Sequence, residues 1–497
     1  MTGTVAPSAL VRYGQSGGRW VLLAAVLGSA LAFIDATVVN VALPHIAASF
    51  RADTGALQWT VNGYTLSLAS LILLGGSLGD RFGRRKILVT GVTWFATASL
   101  LCGLAPSMDV LIAARVLQGA GGALLTPATL ATLQASFHPD DRAKAVGAWS
   151  GLVGIGGALG PFLGGWLVEA GNWRLVFLVN VPLAAVVAVV ALRHVPESRD
   201  PDAQRRLDIA GVLTGATGLA GLTYGFTAWP ARGVTSPAVL GALAVGLGGI
   251  AAFVVAERTS PHPMLPPEVF ASRAFTAANL VTFAVYAALG GVLFLVVLNL
   301  QVVGRYSPLA AGAALLPVTV LMLLLSARTG ALAQRTGPRL PMTLGPVICA
   351  GALVLFSRIG PNHSYVRDVL PAAVILGLGL SLTVAPLTAT ALGSVSERHA
   401  GVASGINNAV ARAAGLLAIA VLPLAAGLGT GSLTNPADLA PTYRTAMLLC
   451  AGLLAAGAGI ALAAIPARFS GPDTAGHTDA RNPPVHSPPA GPGRQPS

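Results

Sequence analysis

The sequence predicts an all-α polytopic membrane protein with fourteen transmembrane helices, and two observations support this fold class. First, the chain of 497 residues is 54% hydrophobic and only 10% charged, whereas a soluble domain carries about 25% charged residues. Second, the apolar residues are gathered into fourteen long segments, and about 20 apolar residues in a helix are enough to cross a bilayer. A membrane β-barrel would show short segments of alternating polarity, so we interpret these segments as helices.

The fourteen helices are predicted directly from the positions of the apolar segments. These lie at residues 20–43, 57–78, 86–105, 109–134, 143–168, 174–192, 208–229, 237–256, 274–300, 308–327, 340–357, 368–391, 401–425 and 443–465. The first segment resembles a signal peptide in that Arg12 and Arg19 precede it. We expect it to be retained, because its apolar run is too long for a signal peptide and includes an acidic residue.

The charge of the loops predicts the orientation of the helices. With the N-terminus in the cytoplasm, the inner loops and tails hold 21 basic residues and the outer loops hold 7, as the positive-inside rule requires. The net charge of +12 then favours anionic membrane lipid as a partner, and not nucleic acid. Heavy use of Arg, Ala and Gly is typical of a GC-rich bacterial genome. We therefore expect a bacterial inner membrane protein with both termini in the cytoplasm.

An internal repeat predicts the domain organisation. GSLGDRFGRR at residues 76–85 and GALAQRTGPR at residues 330–339 share Gly, Leu, Arg, Gly and Arg in register. Both loops join the second and third helices of a set of six if segments 7 and 8 are an inserted pair, as in transporters built from two parallel halves. We predict a cytoplasmic tail at 1–19, a six-helix bundle at 20–193, a cytoplasmic linker at 194–207, an extra helix pair at 208–257, a second six-helix bundle at 274–466 and a disordered cytoplasmic tail at 467–497.

Asp35 is the acidic residue at the centre of the functional prediction, because it lies in the middle of the first apolar segment. An acid at the bilayer centre costs about 2.5 kcal/mol or more on insertion scales and normally faces a bundle interior or a wet cavity. Arg115 lies at a similar depth, ~9 Å from the outer end of its helix against ~13 Å for Asp35. We predict that the two pair, directly or through water, and couple the protein to protons. A static ion pair that serves only assembly is the alternative.

The loop GSLGDRFGRRK predicts a cytoplasmic gate. Its glycines allow two helices to approach closely, and its acid can accept hydrogen bonds from neighbouring arginines. The alternative is that the basic residues of this loop only fix its orientation by the positive-inside rule, but that role would need neither the glycines nor the acid. The predicted gate residues are Gly76, Asp80, Arg81, Gly83, Arg84 and Arg85.

The fifth apolar segment, GLVGIGGALGPFLGGW, predicts a hinge or a tight interface between the two halves. Gly156, Gly160 and Gly164 recur at a spacing of four, and Pro161 removes one helical hydrogen bond. Ordinary close packing is the alternative. The segment lacks the GxGxxG spacing and the adjoining strand of a dinucleotide site.

Several polar side chains in apolar segments are candidates for a substrate cavity, although each alone is also consistent with packing. Arg412 lies near mid-depth in segment 13 and is a second candidate for contact with Asp35, with water or with an anionic substrate. The full set is Asn40, Asn62, Tyr64, Gln118, Tyr286, Asn408 and Arg412. The three cysteines show no zinc or disulfide spacing, and we predict no metal site, cofactor or catalytic residue.

These motifs resemble the fourteen-helix drug:proton antiporter branch of the major facilitator superfamily. The resemblance rests on FIDATVVNVALP, GSLGDRFGRRK, ARVLQGAGGALLTPA, GALGPFLGGWLVE, NWRLVFLVNVPL and NNAVARAAG. It implies two six-helix bundles with a central extra pair, alternating access, and drug export coupled to proton entry. By this resemblance Asp35 matches the first-helix acid, Arg115 the fourth-helix arginine, Asp80 with Arg84 the cytoplasmic clasp, and Gly160-Pro161 the antiporter motif.

One departure from the resemblance bears on the substrate. Members that export dications tend to carry further embedded acids, whereas here only Asp35 lies at the centre of an apolar segment. A neutral, zwitterionic or anionic amphiphile therefore fits better.

The predicted function is proton-coupled export of hydrophobic drugs or antibiotics by a monomer whose partners are the amphiphilic substrate, protons and membrane lipid. A proton symporter that imports a small metabolite is the alternative. An enzyme is disfavoured because no loop between helices is long enough for a catalytic domain. An ATP-driven pump is disfavoured because the G-x-x-x-x-G-K-[ST] loop is missing from the sequence.

Overall fold

The structure is a computed structural model that describes residues 10–199, 208–260, 263, 265, 267–395, 400–429 and 431–467. We number its fourteen long helices α1 to α14. They are α1 Ser16–Phe50, α2 Thr54–Phe82, α3 Arg84–Gly103, α4 Met108–Ser136, α5 Pro139–Glu169, α6 Leu175–His194, α7 Ile209–Arg232, α8 Pro237–Thr259, α9 Arg273–Val302, α10 in two pieces, Pro308–Ala313 and Leu316–Thr336, α11 Arg339–Phe356, α12 Tyr365–Gly393, α13 Ala400–Ala425 and α14 Pro436–Ala464.

The predicted all-α membrane fold is confirmed in the described part of the chain. Thirteen of its helices are long and apolar enough to cross a membrane, and α5 adds a further helix of 31 residues. Each predicted segment corresponds to one of the fourteen helices. The predicted cytoplasmic tail at 467–497 lies almost wholly outside the described residues, as do residues 1–9 of the N-terminal tail and residues 200–207 of the linker.

Several helix ends differ from the prediction because residues beyond the apolar runs extend the helices, and two of these ends show how. Helix α1 continues past Pro44 to Phe50 and ends at Arg51, whose left-handed backbone (φ 53°) lets its N–H donate to the Ala47 carbonyl. Helix α14 begins at Pro436, and the side chain of Asn435 caps it by accepting from the Ala437 N–H. Hydropathy carries no signal for either cap.

The helices pack in two groups with a pair beside them. Helices α1 to α6 contact mainly one another, and so do α9 to α14. Helices α7 and α8 pack chiefly on each other, and α7 also contacts α2 and α13. We call α1–α6 the first bundle and α9–α14 the second bundle.

The two bundles are joined most closely at one end, where α1 ends and α2 begins; we call it the closed end. Gln58 donates to the Ile419 carbonyl at 2.7 Å, and Gln301 donates to the Val41 carbonyl at 3.0 Å. At the same end, the Leu309 N–H donates to a carboxylate oxygen of Glu169 at 3.0 Å, which connects α10 to α5.

The hydrophobic cores agree with this division. One buried cluster joins the two bundles near the closed end, where it includes Val38 and Leu295, and continues through the second bundle to Met342 and Ile465. Away from that end, a second cluster is built from the first bundle, and a smaller one around Phe275 and Ile406 belongs to the second bundle. Contact persists there between α2 and α13, where Leu73 lies against Gly405.

Candidate functional site

Asp35 is completely buried inside the first bundle, and both of its carboxylate oxygens accept hydrogen bonds. Oδ2 accepts from Nη1 of Arg115 at 2.5 Å, and the arginine side chain is itself only 1% exposed. Oδ1 accepts from Nε2 of Gln118 at 2.8 Å and from Nδ2 of Asn180 at 3.0 Å. The structure thus brings the two predicted proton-coupling residues into direct contact.

A ring of hydrogen bonds holds this ion pair in place. The amide nitrogens of Gln118 and Asn180 both reach Oγ of Ser99, at 2.6 and 3.0 Å, and Oε1 of Gln118 accepts from Arg115 at 2.7 Å. Arg115 and Gln118 are three residues apart in α4 and therefore share a face of that helix. We call Asp35, Ser99, Arg115, Gln118 and Asn180 the Asp35 network; it draws on α1, α3, α4 and α6.

The guanidinium of Arg115 has partners on its remaining sides. Its Nε donates to the Thr60 carbonyl at 2.9 Å, and its central carbon lies 4.4 Å from the ring centroid of Tyr64 and 5.7 Å from that of Phe177. A buried ion pair is tolerated when further hydrogen bonds satisfy its partners, and this pair meets that condition. A proton added to Asp35 would leave Arg115 as a buried cation without its counter-charge.

Two members of the Asp35 network, Ser99 and Asn180, were missed by the sequence analysis. Asn180 offers a signal in hindsight, because an amide within an apolar membrane segment usually hydrogen-bonds across helices. Ser99 offers none, since a serine in such a helix commonly bonds to its own backbone.

The seven predicted cavity residues fall into two groups. Asn40, Asn62, Tyr64 and Gln118 are buried inside the first bundle, whereas Tyr286, Asn408 and Arg412 lie on α9 and α13 of the second bundle and are partly or fully exposed. Of the exposed group, Arg412 contacts the first bundle, through Phe33. Asn408 also turns its amide back to the Ser404 carbonyl at 3.2 Å.

Arg412 does not contact Asp35. Its guanidinium instead lies over the ring of Phe33 on α1, with its central carbon 5.2 Å from the ring centroid. Contact between Arg412 and Asp35, one of the three interpretations offered by the sequence, is therefore wrong for this conformation, because Asp35 faces the interior of its own bundle and Arg412 faces the gap between bundles.

The predicted gate loop forms a local clasp and receives an unpredicted partner. One oxygen of Asp80 accepts from Nε and Nη2 of Arg84 at 3.0 and 2.8 Å. Glu197, in the segment after α6, accepts from the Arg85 N–H at 3.1 Å. Gly83, directly before Arg84, has φ 114°, and a Cβ on Gly83 would lie 2.6 Å from the Glu197 carboxylate.

The other gate residues play smaller parts in this conformation. Arg81 packs over the ring of the adjacent Phe82. A Cβ at Gly76 would meet Pro127 at 3.7 Å, which is ordinary contact.

Gly156, Gly160 and Gly164 of α5 face α1 within the first bundle and do not lie between the bundles. A Cβ on Gly160 would lie 2.0 Å from Oγ1 of Thr37, and one on Gly164 would lie 2.7 Å from a methyl of Val38. Gly156 packs against Ala30 in the same way. These glycines let the backbones of α1 and α5 approach closely.

A different face of α5 meets the second bundle. The Pro161 carbonyl lies where a Cβ on Gly312 of α10 would fall, at 2.1 Å, and a Cβ on Gly165 would lie 2.5 Å from Leu309. The tight interface between the halves is therefore made by Pro161 and Gly165 with α10. Gly165 and Gly312 are the residues that the sequence analysis missed here.

The described residues contain no group of three or more His, Cys, Asp or Glu side chains that could hold a metal ion. The three cysteines are buried and free, in keeping with a packing role.

Comparison with known proteins agrees with the fold. Residues 25–419 match the family described as Major Facilitator Superfamily. The chain is 36% identical over 402 residues to the multidrug resistance protein Stp of Mycobacterium tuberculosis, covering 81% of this chain and 74% of the relative. It is 35% identical over 410 residues to the methylenomycin A resistance protein of Bacillus subtilis, covering 82% of this chain and 87% of the relative.

A solved structure has the same fold. It is a bacterial homologue of the human lysosomal transporter Spinster in an inward-facing and unoccupied conformation. It superposes with a TM-score of 0.62 at 20% identity, covering 91% of this chain and 97% of the other. The chain belongs to the Major Facilitator Superfamily.

Proposed function

We propose that the protein is a proton-coupled antiporter that exports hydrophobic drugs or antibiotics across the bacterial cytoplasmic membrane by alternating access. The observation that carries the proposal is the buried contact between Asp35 and Arg115 inside the first bundle. The relatives named for multidrug and methylenomycin A resistance support export as the direction of transport. The partners of the protein are its amphiphilic substrate, protons and membrane lipid, and it acts as a monomer.

The closed end indicates which side the substrate enters from. With both termini in the cytoplasm, as the loop charges predict, the end where α1 meets α2 is extracellular. The conformation described here is then closed to the outside and receives substrate from the cytoplasm. The domain boundaries predicted from the sequence fit this arrangement, with the bundles as the two moving bodies.

Protonation of Asp35 changes the interactions of α1. The charged carboxylate binds Arg115, Gln118 and Asn180 together, whereas a neutral carboxyl group is a weaker acceptor for all three. Helix α1 also packs against the glycines of α5 and carries Phe33 against Arg412. A shift of α1 on protonation would therefore reach the surface that meets the substrate. Coupling requires such a difference in affinity between the two protonation states.

The test is gradient-driven export in inverted membrane vesicles. Asp35→Asn keeps the shape of the side chain but removes its titratable charge, so we expect it to abolish export driven by a pH gradient. The exposed acid Asp109 at the outer end of α4 provides the matched control, and Asp109→Asn should transport normally. Asp35→Glu keeps the carboxylate but changes its position by one methylene group, so it should retain part of the export activity.

The same vesicles distinguish export from import. An antiporter accumulates a dye in inverted vesicles when their interior is acid, whereas a proton symporter expels it. Undiminished export by Asp35→Asn, with equal amounts of protein in the membrane, would refute the coupling role of Asp35.

A further inference from the structure

Three charged side chains of the described residues lie deep within the membrane helices: Asp35, Arg115 and Arg412. Asp35 and Arg115 neutralise each other, and both oxygens of Asp35 are already occupied. Arg412 is therefore left as a net positive charge at this depth.

Arg412 has an aromatic neighbour: the ring centroid of Phe33 lies 5.2 Å from the central carbon of its guanidinium. In the part of the chain that the structure describes, no carboxylate lies within ion-pair distance of this guanidinium. A cation at membrane depth normally pairs or faces a water-filled cavity. Arg412 is partly exposed and lies against Phe33 of the other bundle, which agrees with the second condition.

We propose that Arg412 binds the carboxylate of the transported molecule, and that the substrates are amphiphiles with one carboxylate and an aromatic or other apolar body. This proposal rests on the proposed function and names its substrate class. The guanidinium presents a fork of donors that matches a carboxylate. Phe33 lies beside it and offers apolar surface for the rest of the molecule.

The depth of Arg412 excludes a lipid headgroup as its ordinary partner. The residue is twelve positions from Ala400, the start of α13, which corresponds to ~18 Å along the helix. A lipid phosphate remains near the membrane surface, more than a helical turn away from this depth. A small carboxylate that enters between the bundles can reach it.

The test compares one acid with its uncharged ester. Purified protein in nanodiscs is titrated with 1-pyrenebutyrate and with its methyl ester, and binding is followed by energy transfer from tryptophan to pyrene. The variants are R412Q, R412K and R444Q. Arg444 is exposed on α14, so R444Q removes the same charge elsewhere and serves as the matched control.

We expect the wild type and R444Q to bind the acid about tenfold or more tightly than the ester, as a charge-assisted pair would give. R412Q should bind both probes equally by weakening the acid alone, and R412K should retain part of the preference. Preference for the ester, no measurable binding of the acid by the wild type, or an unchanged preference in R412Q would each overturn the assignment.

A parallel assay keeps this proposal distinct from the proposed function. Export of a neutral dye by the wild type is measured in inverted vesicles whose interior is acid. If the wild type exports the dye and also prefers the acid in the binding assay, both proposals stand. If it exports the dye but shows no preference for the acid, only the carboxylate site fails. If it prefers the acid but exports no dye, the proposed function fails and the carboxylate site remains.

Discussion

Nδ2 of Asn180 donates to Oδ1 of Asp35 at 3.0 Å, although the two residues lie 145 positions apart in the chain. Asn180 follows a break in α6 at Val179 and begins the second part of that helix. The contact ties the sixth helix to the first at the carboxylate that we propose to carry protons. Asn180 is thus a positioning residue, because it acts through Asp35.

Asn180→Ala removes a donor from the Asp35 carboxylate and should slow export driven by a pH gradient, because the carboxylate is then held less firmly beside Arg115. The measurements are the rate of export in inverted vesicles and the thermal stability of the purified protein. Asn299→Ala is the control, since Asn299 is buried in α9 and bonds the Ile359 carbonyl instead. Equal losses of stability in the two variants with undiminished export by Asn180→Ala would show that Asn180 serves only packing.

Arg115→Gln should destabilise the protein by about 3–5 kcal/mol, because it leaves a buried carboxylate without its partner. The measurement is thermal unfolding of the purified protein in detergent. The double variant Asp35→Asn with Arg115→Gln removes both charges and should recover most of this loss while remaining unable to couple export to protons. If Arg115→Gln and the double variant were equally stable, the cost of removing Arg115 would not come from the unpaired charge of Asp35.

Gly312→Ala should loosen the closed end, because its Cβ would fall 2.1 Å from the Pro161 carbonyl and backbone atoms there cannot move aside. We expect faster labelling of a cysteine introduced at Gln58, which lies in the same interface, by a membrane-impermeant maleimide added from outside. Gly351→Ala is the control, since a Cβ at Gly351 would meet no atom within 4 Å. Identical labelling of the two variants would contradict the close approach of α5 and α10.

Gly83→Ala should disrupt the predicted gate loop for two reasons. Its backbone has φ 114°, and its Cβ would collide with the Glu197 carboxylate at 2.6 Å. Strain of this kind costs about 1–3 kcal/mol, so we expect lower thermal stability and reduced export. Gly79→Ala, one helical turn earlier, is the control because a Cβ there meets nothing within 4 Å. Equal effects of the two substitutions would indicate a general intolerance of the loop to alanine.

Much of the fold could be predicted from the sequence because the bilayer imposes a simple rule. A backbone surrounded by lipid must satisfy its own hydrogen bonds, so a long apolar segment such as 274–300 can only be a helix. The rule says nothing about polar extensions, which is why the caps at Arg51 and Asn435 were missed.

The candidate site could be predicted only in part. Depth along a helix follows from residue count, and this placed Asp35 and Arg115 at the same level. The direction in which a side chain points depends on how each helix is rotated about its own axis, and the number of residues from the helix end does not determine this rotation. For that reason Gly160 faces α1 and not the second bundle, and Arg412 faces the gap and not Asp35.

Arg412 has no acidic partner among the described residues, and its positive charge also bears on what powers the cycle. If one proton enters for each carboxylate that leaves, every turnover carries two elementary charges inward across the membrane. Each charge gains about 2.3 kcal/mol per 100 mV of interior-negative potential, so two gain ~4.6 kcal/mol. An electrical potential alone would then sustain a concentration ratio of about three orders of magnitude, even where the acidity is the same on both sides.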